Sequence, residues 1–238
     1  MTPFAQEYAA CRCKWGIEGL AALTPADVTI LVDVFTFTTC VDVALAAGAA
    51  ILPYRWDDAT AADYAARHNA ELAGRRRQAR YSLAPECYVD APAGLRCVLP
   101  SPNGARTRLE AAASCSVLLA ACLRNARAVA VAAQRLGRTF NVIPCGERWG
   151  SGALRPALED ALGAGAVLAH LAGRRSVEAD ACVALYERHK DDLQDVLVQT
   201  SSGRELEGRG HVRDKEYAAA LDVSTIVPRF DGIAYVVA

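Results

Sequence analysis

Several common function classes are excluded by what this 238-residue chain lacks. No apolar run reaches the roughly 18–20 residues needed to span a bilayer. The longest candidates, "VALAAGAAIL" at 43–52 and the stretch 161–171, are rich in Ala and Gly and read as packed helices. There is no excess of either charge: 26 Lys and Arg face 27 Asp and Glu, a formal net charge of −1. Bulk attraction to nucleic acid or to an anionic membrane is therefore not expected, and any bound anion must be held by a local cluster. The start, "MTPFAQEYAACRCKWG", has no basic segment leading into an apolar core, so it does not read as a signal peptide. Nine cysteines at irregular spacing, only Cys11 and Cys13 lying close together, form neither a zinc pattern nor a disulfide framework. They read as reduced, mostly buried thiols of a cytoplasmic protein.

Known catalytic motifs are absent as well. There is no G-x-x-x-x-G-K-[ST] phosphate loop and no G-x-S-x-G nucleophile elbow. Asp33-Val34-Phe35-Thr36 lacks the second aspartate of a haloacid-dehalogenase-type nucleophile, and Cys145 has no arginine six positions on. "RHK" at 188–190 lacks the glycine of a histidine phosphatase.

What is there is an alternation of strand-like and helical segments. "VTILVDVF" (28–35), "CSVLLAACL" (115–123) and "FNVIPCG" (140–146) are apolar without a period of two, as strands buried on both faces are. Helical patterns follow at 38–49, 57–72, 125–137 and beyond Pro156, and "GIAYVVA" (232–238) closes the chain as a strand. The basic stretch "AGRRRQARYSLAP" (73–85) reads as an exposed connection. The expected class is α/β, a three-layer α/β/α arrangement with a mainly parallel or mixed sheet in a single domain, 1–238. An internal echo aligns "DVALAAGAAI" (42–51) with "EDALGAGAVL" (159–168), matching Asp42 to Glu159 and Gly48 to Gly165. It leaves open two pseudo-symmetric halves, about 1–94 and 95–238. The small-residue helix faces at 42–50 and 159–169 would suit close packing within a chain or across a homodimer.

Ligands of parallel α/β sheets collect where strands end and helices begin. Asp33 interrupts an apolar strand, where a carboxylate is costly unless it is paired or binds a cation. Thr38 and Thr39 follow it. "SPNGARTR" (101–108) suits an anion: Asn103-Gly104 permits a tight turn, Ser101 offers a hydroxyl, and Arg106 and Arg108 add guanidinium donors. "CGERWG" and "LEDALGAG" supply Glu147, Arg148, Glu159 and Asp160, hard oxygen ligands of the kind magnesium shares with water and substrate phosphate. Glu159 and Asp160 also suit the first turn of a helix, where negative charge is favoured regardless of any ligand.

With these segments assembled, the chain resembles the 2-phosphosulfolactate phosphatase (ComB-like) family. "CRCKWG", "LVDVFTFTTCVDVALAAGA", "YSLAP", "SPNGARTRL", "CGERW…LEDALGAG" and "SSGRELEGRGHVRDKEYAAALDVSTIVP" carry the likeness in order over some two hundred residues. The resemblance implies an α/β/α phosphomonoesterase dependent on Mg²⁺, converting (2R)-phosphosulfolactate to sulfolactate and phosphate on the way to coenzyme M. The family's acidic and turn positions fall on Asp33, Ser101, Asn103, Gly104, Glu147, Glu159 and Asp160; the expected roles are catalysis by Asp33, Ser101, Glu147 and Glu159, and metal ligation by Asp33, Glu147, Glu159 and Asp160. Thr38, Thr39, Ser101, Asn103, Gly104, Arg106 and Arg148 would bind a small anionic phosphorylated substrate. One departure stands out. Where family members read D-V-L-R-A-[ST]-T, this chain has Thr36 for the arginine and Phe37 for the small residue. Losing that bidentate anion clamp keeps two alternatives open: a phosphatase of another small phosphorylated acid, and a non-catalytic anion-binding homologue.

Overall fold

The computed structural model describes residues 2–55, 59–104 and 116–238. In chain order the elements begin with β1 (Cys11–Cys13), α1 (Gly16–Ala22), β2 (Val28–Val32), α2 (Phe37–Ala46), β3 (Ala50–Arg55), α3 (Ala61–Arg67), β4 (Glu71–Leu72) and β5 (Arg96–Ser101). They continue with β6 (Val117–Ala121), α4 (Ala126–Leu136), β7 (Phe140–Pro144), β8 (Glu147–Arg148) and β9 (Leu154–Arg155). Then follow α5 (Leu158–Ala169), α6 (Val177–His189), α7 (Leu193–Gln199), α8 (Ser201–Gly208), α9 (Val212–Ala219), β10 (Pro228–Phe230) and β11 (Tyr235–Val237).

Nine strands form one mixed sheet in the order β1-β7-β2-β6-β10-β11-β3-β5-β4. Two parallel blocks, β1-β7-β2-β6 and β3-β5-β4, flank the antiparallel hairpin β10–β11. Because β6–β10, β10–β11 and β11–β3 are all antiparallel, the two blocks run in opposite senses along the ladder. Strands from either side of position 94 thus interleave in one sheet. The 57–72 stretch, read as one helix, is helical at Ala61–Arg67 and then turns to pair Glu71 and Leu72 with β5. Residues 57 and 58 lie outside the described residues.

Helices cover both faces. In β2, Ile30 and Val32 pack with α4, α5 and α6, whereas Leu31 meets Leu20 and Leu23 at α1. In β3 and β5, Ile51, Cys97 and Leu99 pack with α2, while Leu52 and Val98 meet Ala65 of α3. Burial on both faces explains why β2 and β7 show no alternation: every residue in them is buried. Helix α5 is buried from Glu159 to Leu168, and past its two acidic residues it is apolar all round rather than amphipathic. The described cysteines are free thiols, all but half-buried Cys87 lying in the interior. Among the described residues no helix is long and apolar enough to cross a membrane.

Candidate active site

The segments that follow β2, β5 and β7 meet at one place, and each brings a polar group. Asp33 leaves β2 buried, and its carboxylate is held by two amides. Oδ1 accepts the Phe37 N–H at the start of α2 (3.2 Å), and Oδ2 accepts the Gly104 N–H after β5 (2.9 Å). Only glycine can make that second approach: a Cβ at Gly104 would lie 2.4 Å from a Phe37 ring carbon and 2.8 Å from Asp33 Oδ2. Thr38 and Thr39, expected to bind substrate, turn inward instead. Thr38 Oγ1 donates to the Asp33 carbonyl (2.7 Å) and accepts the Asp33 N–H (3.0 Å), while Thr39 Oγ1 donates to the Val34 carbonyl (2.8 Å). Both are fully buried, and their hydroxyls shape the turn rather than face a ligand.

The other carboxylates divide by role. Glu147 on β8 accepts a hydrogen bond from Asn103 Nδ2 (2.8 Å), and the Asn103 N–H approaches Ser101 Oγ (3.4 Å). Asp160 spends both oxygens on backbone, accepting from Val34 N–H (2.7 Å) and Gly146 N–H (2.8 Å). It therefore ties the loop after β2 to the loop after β7. Glu159 lies beside it, 1% exposed, and its Oε2 has no hydrogen-bond partner.

Burial makes this group electrostatically tense. Desolvation, then the neighbouring charge of Glu147 and that of Glu159, push the Asp33 carboxyl up to about 7 against the two amides that favour its ionised form. Burial also raises Glu147, Glu159 and Asp160; the Asn103 amide opposes it at Glu147 and the nearby Ser202 hydroxyl at Glu159.

Asp33, Ser101, Asn103 and Glu147 line a cavity of ≈ 350 Å³ that is also lined by Arg75, Arg76, Arg209 and His211. Arg76 is anchored by an ion pair from Nη1 to Asp214, and its Nη2 reaches the Thr36 hydroxyl (3.4 Å), which itself donates to the Leu83 carbonyl (3.0 Å). Burial lifts Asp214 to about 6 despite Arg76, and burial together with Arg76, Arg77 and Arg209 holds His211 below its ordinary value. These cations come from 73–85, read from sequence as an exposed connection, and from the turn between α8 and α9. The signal for them was only a charge run and "GRGHV". Arg148 is not in the wall. It follows Glu147 in a strand, so it points the other way, toward the Gly152 carbonyl (3.3 Å) and Glu18 (3.9 Å). Arg106 and Arg108 lie outside the described residues.

Among the described residues no three His, Cys, Asp or Glu side chains are grouped closely enough to hold a metal ion by themselves. Magnesium needs fewer, taking one or two carboxylates and completing its shell with water and phosphate oxygens. The orphaned buried oxygen of Glu159 and the mutual repulsion of Asp33, Glu147 and Glu159 fit a cation in that sense. Asp160, with both oxygens on amides, fits a brace better than a ligand.

The family model described as 2-phosphosulpholactate phosphatase matches residues 18–232. The chain belongs to the 2-phosphosulfolactate phosphatase family. Its relatives include a protein of Thermosynechococcus vestitus, 31% identical over 221 residues, which cover 85% of this chain and 88% of the relative. A protein of Gloeobacter violaceus is 31% identical over 214 residues, with the same coverage. Both carry the name probable 2-phosphosulfolactate phosphatase. The 2-phosphosulfolactate phosphatase of Methanothermobacter thermautotrophicus is 33% identical over 131 residues, 55% of this chain and 54% of its own. The matched span takes in every group of this family member that faces the cavity, from Asp33 to His211.

Proposed function

We propose that this chain is a Mg²⁺-dependent phosphomonoesterase that hydrolyses 2-phosphosulfolactate to sulfolactate and phosphate. One observation carries the reading: desolvated carboxylates that repel one another line the same cavity as several guanidinium groups. A divalent cation at Asp33 and Glu147, with Glu159 behind them, would neutralise charge on the phosphoryl oxygens. Asn103 fixes Glu147, and the Gly104 and Phe37 amides fix Asp33, so neither carboxylate must reorganise when substrate arrives. Ser101 faces the cavity as a hydroxyl donor to the phosphate or as a nucleophile. Thr38, with its hydroxyl engaged twice, and the buried Cys145 are less suited to that role.

The departure at Thr36 and Phe37 favours a second reading, the same chemistry on another small phosphorylated acid. A panel of phosphorylated hydroxy acids, phosphosulfolactate included, assayed with Mg²⁺ and with EDTA, decides between them. The expected result is Mg²⁺-dependent phosphate release, reduced at least ~100-fold in Asp33→Asn and Glu147→Gln with the fold intact. Release selective for another acid reassigns the substrate. No release from any ester, or release indifferent to EDTA, overturns the proposal.

A further inference from the structure

Position 36, a buried residue lining the cavity, carries a threonine, yet a guanidinium stands against its hydroxyl. That guanidinium is Arg76, delivered from a different part of the chain. Its geometry is that of a held tool rather than a solvated surface charge. Nη1 is committed to Asp214, which is 3% exposed, and the Arg76 side chain is itself 18% exposed, so it cannot swing freely. Nη2 lies 3.4 Å from Thr36 Oγ1, a long contact that a stronger acceptor would displace. Arg75 and Arg209 line the same cavity and supply further positive charge, and the carboxylates Asp33 and Glu147 line it too. A ligand that fills a cavity lined by both kinds of group needs one part for a cation held by the carboxylates and a separate anion for the arginines.

We propose that Arg76 is the specificity-determining residue of this cavity, its guanidinium anchored by Asp214 and taking the second acidic group, carboxylate or sulfonate, of the phosphorylated substrate. The inference rests on the proposed phosphatase reading for the phosphate end of that substrate. Asp214 is a positioning residue, acting only through Arg76. A planar guanidinium can take such a group with two parallel N–H donors, which lysine cannot reproduce.

The test sets an acidic ester against a neutral one. For wild type, Arg76→Ala, Arg76→Lys and Asp214→Asn, kcat/KM is measured on phosphosulfolactate and on glycerol 1-phosphate. Arg76→Ala should lose about 30-fold more on the acidic ester than on the neutral one, the scale of a charged hydrogen bond, with Arg76→Lys recovering part of it. Asp214→Asn should raise KM for the acidic ester with little change in kcat. Equal loss on both esters would overturn the assignment, since it would place Arg76 on the phosphate or in the fold. Calorimetric binding of sulfolactate, the product that carries no phosphate, keeps this separate from turnover. If wild type releases phosphate from nothing, the phosphatase reading fails, while an at least tenfold weaker sulfolactate affinity in Arg76→Ala, at an unchanged melting temperature, still upholds the subsite. Sulfolactate that binds wild type and Arg76→Ala alike, or neither, overturns it.

Discussion

Helices α2 and α5 look like copies in the sequence, yet their aligned carboxylates have opposite surroundings. Aligned without gaps, "DVALAAGAAI" and "EDALGAGAVL" put Asp42 opposite Glu159, and both carboxylates are buried. Asp42 lies in the middle of α2, where Arg124 Nε (2.8 Å) and Ser224 Oγ (2.6 Å) donate to it. Glu159 lies in the first turn of α5, and its Oε2 has no partner. Burial raises both carboxyls, and only Asp42 has a cation in direct contact to oppose it. The aligned glycines part company as well. Gly48 ends α2 at φ +83°, whereas Gly165 lies within α5, where a Cβ would come within 2.1 Å of the Cys182 carbonyl of α6. A buried acid whose charge is answered inside the fold is structural. One that keeps a buried oxygen without a hydrogen-bond partner, as Glu159 does, has an acceptor left for a ligand.

The largest test of that contrast is pH. Folded Asp33 keeps its proton up to about 7, whereas an unfolded aspartate releases it near ~3.9. Between those values the folded state binds more protons, so stability falls as pH rises. Thermal melts of EDTA-treated protein should show a decline of several kcal/mol from pH 4 to pH 8, flattened in Asp33→Asn and reversed by Mg²⁺ at the alkaline end. A flat wild-type profile would mean that the acids are already neutralised within the chain. Asp42→Ala is expected to be next in size. It leaves Arg124 without its buried partner and should cost about 3 kcal/mol in denaturant titrations, with or without Mg²⁺. A loss that Mg²⁺ repairs would erase the distinction between the two acids. Gly165→Ala should follow at roughly 2–3 kcal/mol, because α5 and α6 must move apart. Gly48→Ala should cost about 1 kcal/mol, the penalty of a left-handed residue with an otherwise ordinary neighbour at 3.4 Å. Equal values would show that the two helices are packed alike after all.

The fold class was legible because β2, β6 and β7 are continuous apolar runs, which only a sheet covered on both faces accounts for. The hairpin was less so: β10 and β11 have three residues each, too few for a period to show, and their place between β6 and β3 is set by tertiary pairing alone. Asp33 stood out because a carboxylate interrupting an apolar strand is costly unless it is paired or binds a cation, and Glu147 because it sits in the glycine-rich turn "CGERWG". Thr38 and Thr39 offered the right atoms, but a hydroxyl near a helix start bonds backbone as readily as ligand. Arg148 was chosen for its nearness to Glu147, and adjacency in a strand is what sends it to the other side. Arg75, Arg76, Arg209 and His211 were missed because segments more than a hundred residues apart assemble them, and each segment taken alone resembles a solvated surface.

The β10–β11 hairpin bears on how the molecule is assembled. Each outer junction of this seam is registered through a single pair, Arg229 with Leu119 and Tyr235 with Ile51. Both pairs join residues far apart along the chain, so closing the seam carries a large loop entropy. Helix α2, which starts beside Asp33, packs against β3, β6, β10 and β11 and so lies across the seam. The β1-β7-β2-β6 block is itself built from distant partners, such as Cys11 with Phe140 and Val28 with Val117. Asp33 follows a strand of one block and Ser101 ends a strand of the other, so the cavity that both line exists only where the seam between the blocks is closed.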